Sequence, residues 1–392
     1  MSRRLVIGGG AALAALVALG AIAVGPLARG LASREDVPRA TVAVSDALGA
    51  RDTAGFERAL GPQPLSFPGD DGPHPGFRTE WWYYTGNLET AAGRHVGFQL
   101  TFFRTALAPP ERVASTRPSH WAASQLYLAH FAVTDTAGRR FHAASRLERE
   151  ALGLAGAQAR RFRVWLGDWS ADGEGPDGFP VRLCAADGDV SIDLVLERGK
   201  PVVLQGDRGW SAKGPEPGNA SYYYSFTRMP ARGTVVVRGE SLSVSGLAWM
   251  DREWSTSALG PDLEGWDWFA LQLDDRRDIM MYRLRRRDGS ADAYSAGVIV
   301  GADGRAERLA MRDVAVEALD DWTSPASGVR YPSRWRVRIP GAGVILEISP
   351  RVADQELVVG TRYWEGAVRV EGRADGRPIG GRGYVELVGY GE

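Results

Sequence analysis

From Phe77 to the C-terminus the chain is written almost entirely in short alternating runs, and this pattern constrains its fold more than any other feature. In HVGFQLTFF, Val96, Phe98, Leu100 and Phe102 share one face of an extended strand, and Gly97, Gln99 and Thr101 share the other. LYLAHFAVTD is a second strand, closed by TAGR. VSIDLVLER, GTVVVRG, DIMMYRLRRRDG, AGVIVGADGR, WRVRIP, VILEISP, WEGAVRVEG and GYVELVGY continue the series. Long helical periodicity is absent after residue 60. Many short strands with even turn spacing lead to barrels or sandwiches. The expectation is therefore an all-β body.

The body also carries an internal echo. WWYYTGNL lies over WDWFALQL so that Trp81 meets Trp266, Tyr83 meets Trp268, Tyr84 meets Phe269 and Leu88 meets Leu273. A turn follows each copy, AAGR or DDRR, and then a second strand. The echo predicts two related barrels, one starting near residue 70 and one near residue 250. A length of 392 residues with 44% apolar content accommodates two such units and their cores.

The body is preceded by a basic head, MSRR, and an uncharged run from Leu5 to Ala28. This reads either as a cleaved secretory signal or as a membrane anchor, since about 20 apolar residues span a bilayer. With Arg3 and Arg4 cytoplasmic, either reading puts the body outside the cytoplasm, in the periplasm or cell envelope. The expected domains are a leader at 1–32, a linker at 33–61, one barrel at 62–248 and a second at 249–392. A near-even balance of 47 basic and 48 acidic residues argues against nucleic-acid binding. Cys184 is the sole cysteine, so no intrachain disulfide forms.

The chemistry-bearing residues cluster with aromatic rings. In Glu80-Trp81-Trp82-Tyr83-Tyr84, strand alternation puts Trp81 and Tyr83 on one face and Glu80, Trp82 and Tyr84 on the other. At least one face belongs to a core. A carboxylate beside such rings needs a donor, or it becomes an acid of raised pKa. GLAWMDREWS places Asp251, Arg252 and Glu253 between Trp249 and Trp254; GWDWF adds Trp266 and Trp268; SYYYSFTR adds Tyr222 and Tyr224. Together they suit an apolar ligand with one polar handle. Packing and local ion pairing remain the competing readings.

Other chemistries lack their signatures. The five histidines form no H-x-H or H-E-x-x-H, so no metal site is expected, and His130 reads as a hydrogen-bonded core residue or a pocket residue. No G-x-S-x-G elbow or Walker loop occurs in the body.

HPGFRTEWWYYTGNL, GFQLTFFR, AHFAVTD, YYYSFTR, GLAWMDREWS, GWDWFALQL, SGVRYPSRW and YWEGAV, in that order, resemble the AttH-like family, also called lipocalin-like or carotenoid 1,2-hydratase-like. The resemblance covers residues 62 to 392. It implies two lipocalin-like antiparallel β-barrels packed side by side. Some members accompany ABC-transporter permeases, which implies a permease partner and an apolar cargo. The hydratase branch implies addition of water to an isolated double bond with no metal or organic cofactor, and other relatives imply cyclisation. Asp251 matches that branch's candidate acid, whereas Met250 and Arg252 replace its flanking histidines. The lead expectation is an envelope carrier of a lipid or isoprenoid. A cofactor-free hydratase or cyclase is the alternative, and a purely structural protein the third. Asp251 and Glu253 are the candidate catalytic residues. Glu80, Trp81, Trp82, Tyr83, His130, Tyr222, Tyr224, Trp249, Trp254, Trp266 and Trp268 are the candidate ligand contacts.

Overall fold

The computed structural model describes residues 53–114, 124–257, 259–260 and 262–391. The expected leader and the first part of the linker lie outside the described residues. Among the described residues, regular structure is nearly all strand, with one short α-helix at Pro110–Ala114 and three short 3-10 turns.

The first sheet holds β1 (Thr79–Glu89), β2 (His95–Ala106), β3 (Gln125–Asp135), β4 (Arg140–Arg149), β5 (Ala155–Gln158), β6 (Arg163–Leu166), β7 (Trp169–Gly173), β8 (Val181–Asp187), β9 (Val190–Leu196), β10 (Val203–Leu204), β11 (Trp210–Ala212), β12 (Ala220–Val237) and β13 (Glu240–Ser255). Its spatial order is β4-β3-β2-β1-β13-β12-β9-β8-β7-β6-β5, all antiparallel, with β10 and β11 also on β12. The sheet curls until its ends meet. Arg146 on β4 lies over the Trp169 ring at 4.4 Å and pairs with Asp168, and His142 stands 3.2 Å from Asp187. The result is a nearly closed barrel. Val96, Phe98, Leu100 and Phe102 face its interior, as the alternation of HVGFQLTFF requires, beside Trp82, Trp169, Tyr224 and Trp254. These rings are fully buried, and they fill the barrel with packed side chains.

The second sheet is a half-barrel. It holds β14 (Leu263–Leu273), β15 (Asp278–Arg286), β16 (Ala296–Val300), β17 (Ala306–Ala310), β18 (Ala315–Thr323), β19 (Arg330–Ile339), β20 (Val344–Pro350), β21 (Glu356–Val358), β22 (Arg362–Ala374) and β23 (Arg377–Val388), in the order β17-β16-β15-β14-β23-β22-β20-β19-β18. Phe269, Trp335, Leu346, Trp364 and Val385 form its core. The order β17-β16-β15-β14-β23-β22 repeats β4-β3-β2-β1-β13-β12 strand for strand, so the echo of WWYYTGNL in WDWFALQL marks equivalent strands, β1 and β14. The expected boundary between residues 248 and 249 falls inside β13; the sheets change over between Ser255 and Leu263.

The two sheets meet along strands that are buried on both faces. Tyr83 donates to Glu365 (2.7 Å), Thr134 to Gln355 (2.7 Å) and Asn87 to the Gly383 carbonyl (3.0 Å). These bonds satisfy polar groups that a lone barrel would turn to water, and they fix how the sheets face each other.

Candidate functional site

Residues directly opposite one another on antiparallel strands turn the same way. On β1 and β13 the register pairs Trp81 with Glu253, Trp82 with Arg252 and Tyr83 with Asp251. Trp81, Tyr83, Asp251 and Glu253 therefore share the outer face of the barrel, toward the second sheet. Trp82, Arg252 and Glu80 share the inner face. The second sheet answers from β14 with Trp266 and Trp268, and from β23 with Glu386, which lies opposite Trp268. Between the sheets these side chains enclose a cavity of about 90 Å³, measured as space open to the centre of a water molecule. Tyr223, Tyr282, Tyr363, Phe103, Leu259 and Leu284 complete a largely aromatic wall, with Lys213 as its cation. One water needs roughly 10–15 Å³ by this measure. The cavity thus has room for several waters or a small organic group.

Asp251 is 3% exposed. Its Oδ1 accepts from Ser225 Oγ (2.6 Å) and Trp249 Nε1 (2.7 Å), and its Oδ2 accepts from the Tyr223 hydroxyl. Trp268 Nε1 donates in turn to the Tyr223 oxygen (3.2 Å). Burial raises the Asp251 carboxyl to about 7 despite these three donors. Glu386 is likewise lifted to about 7 by burial, opposed by the Trp266 indole N–H at 2.9 Å on Oε2 and aided by the charges of Asp251 and Glu253. Glu253 is held as an ion pair by Lys213 (3.2 Å) and accepts from Ser221. Burial works to discharge Lys213, but Glu253 overrides it and keeps the ammonium's pKa raised. Behind Tyr83, burial and the neighbouring Glu386 push Glu365 far above the carboxylate range. Two acids of raised pKa and one closed ion pair thus face an aromatic hollow. Among the described residues no group of three His, Cys, Asp or Glu side chains is arranged to hold a metal ion.

Of the expected contacts, Trp81, Tyr83, Asp251, Glu253, Trp266 and Trp268 line the cavity. Trp249 stands behind it, bonded to Asp251 and packed edge-on against Trp268. Glu80, Trp82, Tyr222, Tyr224 and Trp254 do not reach it. Glu80 is sealed in the barrel between Arg104 and Arg252, which hold its carboxyl far below the usual range against the pull of burial. Strand alternation turns Arg252 away from the Asp251 face, which puts it inside the barrel, not out in solvent, 4.0 Å over Trp82. Trp254 stacks on His74 at 3.8 Å, and Tyr224 donates to Asp71 (2.5 Å). Tyr222 donates to the Gly61 carbonyl (3.0 Å). In SYYYSF it is Tyr223, between the two chosen tyrosines, that faces the cavity, because alternation splits a strand into two faces without saying which is inward. His130 sits one layer back. Its Nδ1 is 2.8 Å from the Tyr363 hydroxyl and its Nε2 3.2 Å from Thr361.

A family model described as AttH-like matches residues 58–390. The chain belongs to the AttH-like family. Among solved structures, this AttH-like protein resembles an AttH protein of Nitrosomonas europaea at 34% identity and a TM-score of 0.74, over 86% of this chain and 100% of that one. Kievitone hydratase of Nectria haematococca shares the fold at 17% identity and a TM-score of 0.64, over 88% of this chain and 98% of that one. CghA in complex with Sch210972 does so at 16% and 0.53, over 87% and 97%. A search of curated protein sequences returns no match.

Proposed function

We propose that the protein binds an apolar small molecule between its two sheets and carries out proton chemistry on it at Asp251, by adding water to an alkene or by closing a ring. One observation carries the reading: Asp251 stands on the wall of an aromatic cavity with its carboxyl raised to about 7. A carrier has no use for an ionisable group at that depth, because burying it works against stability. An enzyme acting near neutral pH does, because its acid–base group must be poised there. The faces of Trp81, Tyr83 and Trp268 suit a cationic intermediate. Arg252, in place of a family histidine, does not quench the acid, since it is spent on Glu80 on the other side of β13. Kievitone hydratase, which by its name adds water, shares the fold; this supports the reading as an analogy. The reading asks for no metal or organic cofactor, as the hydratase resemblance implies.

We also propose, from the basic head and apolar run, that the body works outside the cytoplasm, and, from the family resemblance alone, that it meets an ABC-type permease there. Fractionation of a tagged chain and co-purification of a permease test this. For the site, native mass spectrometry of protein purified from its own host is expected to show a retained lipid or isoprenoid. Asp251→Asn is expected to retain that ligand and lose turnover. Unchanged turnover removes Asp251 from the chemistry, and the absence of any ligand in wild type and variant alike removes the binding function.

A further inference from the structure

We propose that Glu386 is the second catalytic carboxyl of this cavity: it donates the proton to the substrate alkene, while the Asp251 carboxylate from the other sheet takes a proton from the attacking water. The inference rests on the function proposed above and adds to it a residue and a division of labour.

The repeat brings the two acids together. Tyr83 and Trp268 occupy equivalent places on β1 and β14. Asp251 lies opposite the first and Glu386 opposite the second. Each half thus contributes one carboxyl at the same register position, and both line the single cavity. Their surroundings differ. Asp251 accepts three hydrogen bonds, from Ser225, Trp249 and Tyr223. Glu386 accepts one, from Trp266 on Oε2; among the described residues no donor is placed on Oε1. Donors favour the ionised form, so Asp251 is the better anion and Glu386 the better acid. The other charges facing Glu386 do not reverse this order. Glu253, though paired with Lys213, raises both acids, and Glu365, held far above the carboxylate range, adds no charge beside them. The Asp251 charge in turn raises Glu386, which favours keeping the proton on Glu386 once Asp251 has ionised.

The step balances. The alkene π electrons take the proton from the Glu386 carboxyl, forming a C–H bond and leaving a carboxylate and a carbocation. A water lone pair closes the C–O bond, and the proton lost from that oxygen goes to Asp251. Exchange with water returns the proton from Asp251 to Glu386. The substrate class is a trisubstituted alkene, whose protonation yields a tertiary cation.

Infrared difference titration of the full chain from about pH 5 to pH 9 reads protonated carboxyls directly. Two carboxyl bands of the cavity are expected to titrate near neutrality, and the one titrating at the higher pH is expected to be absent in Glu386→Gln and present in both Asp251→Asn and Glu386→Asp. Asp71, raised by burial to about 6, and Glu365 contribute alike to every variant and cancel. Loss of that higher band in Asp251→Asn with its retention in Glu386→Gln puts the proton on Asp251 and overturns the proposal; so does its loss in both, or in neither. Turnover of the small trisubstituted alkenes prenol, citronellol and geraniol in heavy water separates this from the parent reading. Glu386→Gln is expected to lower kcat by about 100-fold or more with KM little changed, and to abolish the fall in kcat toward high pH. In whatever residual turnover Asp251→Asn retains, the fall toward low pH is expected to be absent. A wild type that turns over none of the three counts against the proposed function, while the infrared result still decides where the proton sits.

Discussion

Replacing Glu80 by Gln keeps the side chain's shape, removes its charge and leaves two guanidinium groups buried without a counter-ion. Arg104 and Arg252 are 1% and 0% exposed, and both pair with Glu80. Removing one partner of a buried pair destabilises by about 3–5 kcal/mol. Several contacts remain. Arg104 still donates to Gln125 (2.6 Å) and to the His74 and Phe77 carbonyls (2.9 and 2.8 Å). Arg252 keeps the Gly72 carbonyl (2.6 Å) and the ring faces of Trp82 and Trp254. These place the expected loss at the lower end, about 3 kcal/mol, by denaturant unfolding. The double variant Glu80→Gln/Arg252→Met should lose at least about 0.5 kcal/mol less than the sum of the singles, because the groups share one network. The pH dependence has a definite sign. Glu80's carboxyl is depressed in the native state, so its contribution is complete above the unfolded value of about 4.3 and is lost as pH falls from there. Wild type and Glu80→Gln should therefore converge in acid. Ligand affinity should not change, since Glu80 faces away from the cavity. A loss under about 1 kcal/mol at neutral pH, or convergence in alkali instead, refutes the clamp.

Four further outcomes are expected. Between about pH 4 and pH 7 native Asp251 and Glu386 keep protons that the unfolded chain has released, so stability should decline as pH rises through that window; Asp251→Asn and Glu386→Gln should each flatten the decline in pH-resolved unfolding curves. Tyr83→Phe removes the donor on Glu365, whose Oε2 already has no partner among the described residues, and should lower stability by about 1–3 kcal/mol. His130, lowered by burial to about 3, should show a flat imidazole shift by NMR from about pH 5 to pH 8, and a titration there would contradict its placement. Trp81→Ala should weaken binding of an apolar probe by about tenfold, whereas Trp82→Ala, one residue along and inside the barrel, should lower stability by about 3–5 kcal/mol.

Much of this arrangement was legible in short-range pattern. HVGFQLTFF predicted β2 and its inward face, and the split of EWWYY into Trp81 and Tyr83 against Glu80, Trp82 and Tyr84 is the split the structure has. The echo located the repeat. What pattern could not supply is anything set by strands far apart in sequence. One of the two counter-ions of Glu80, Arg252, lies 172 residues away. Lys213 comes from an irregular segment after β11 and has no periodicity to read. Glu386, within GYVELVGY, looks like an ordinary strand residue until β23 is laid beside β14. Extending the echo would have exposed it, since Trp268 is to Glu386 what Tyr83 is to Asp251.

The location of the cavity follows from the same alternation. A lipocalin-like barrel is commonly pictured with its ligand inside, but here the inner faces are filled by Trp82, Trp169, Tyr224 and Trp254, and the chemistry sits on the outer faces. In GLAWMDREWS, Met250, Arg252 and Trp254 build the first barrel while Asp251 and Glu253 look out of it. One barrel alone would leave Asp251 in water, hydrogen-bonded to three donors and as weakly basic as any surface aspartate. It is the second sheet, with Trp266 and Trp268 laid across it, that removes the water and lifts the carboxyl. The acidity is therefore a property of the pairing of the two halves. Any substitution that loosens their contact should lower the Asp251 pKa before it disturbs either core.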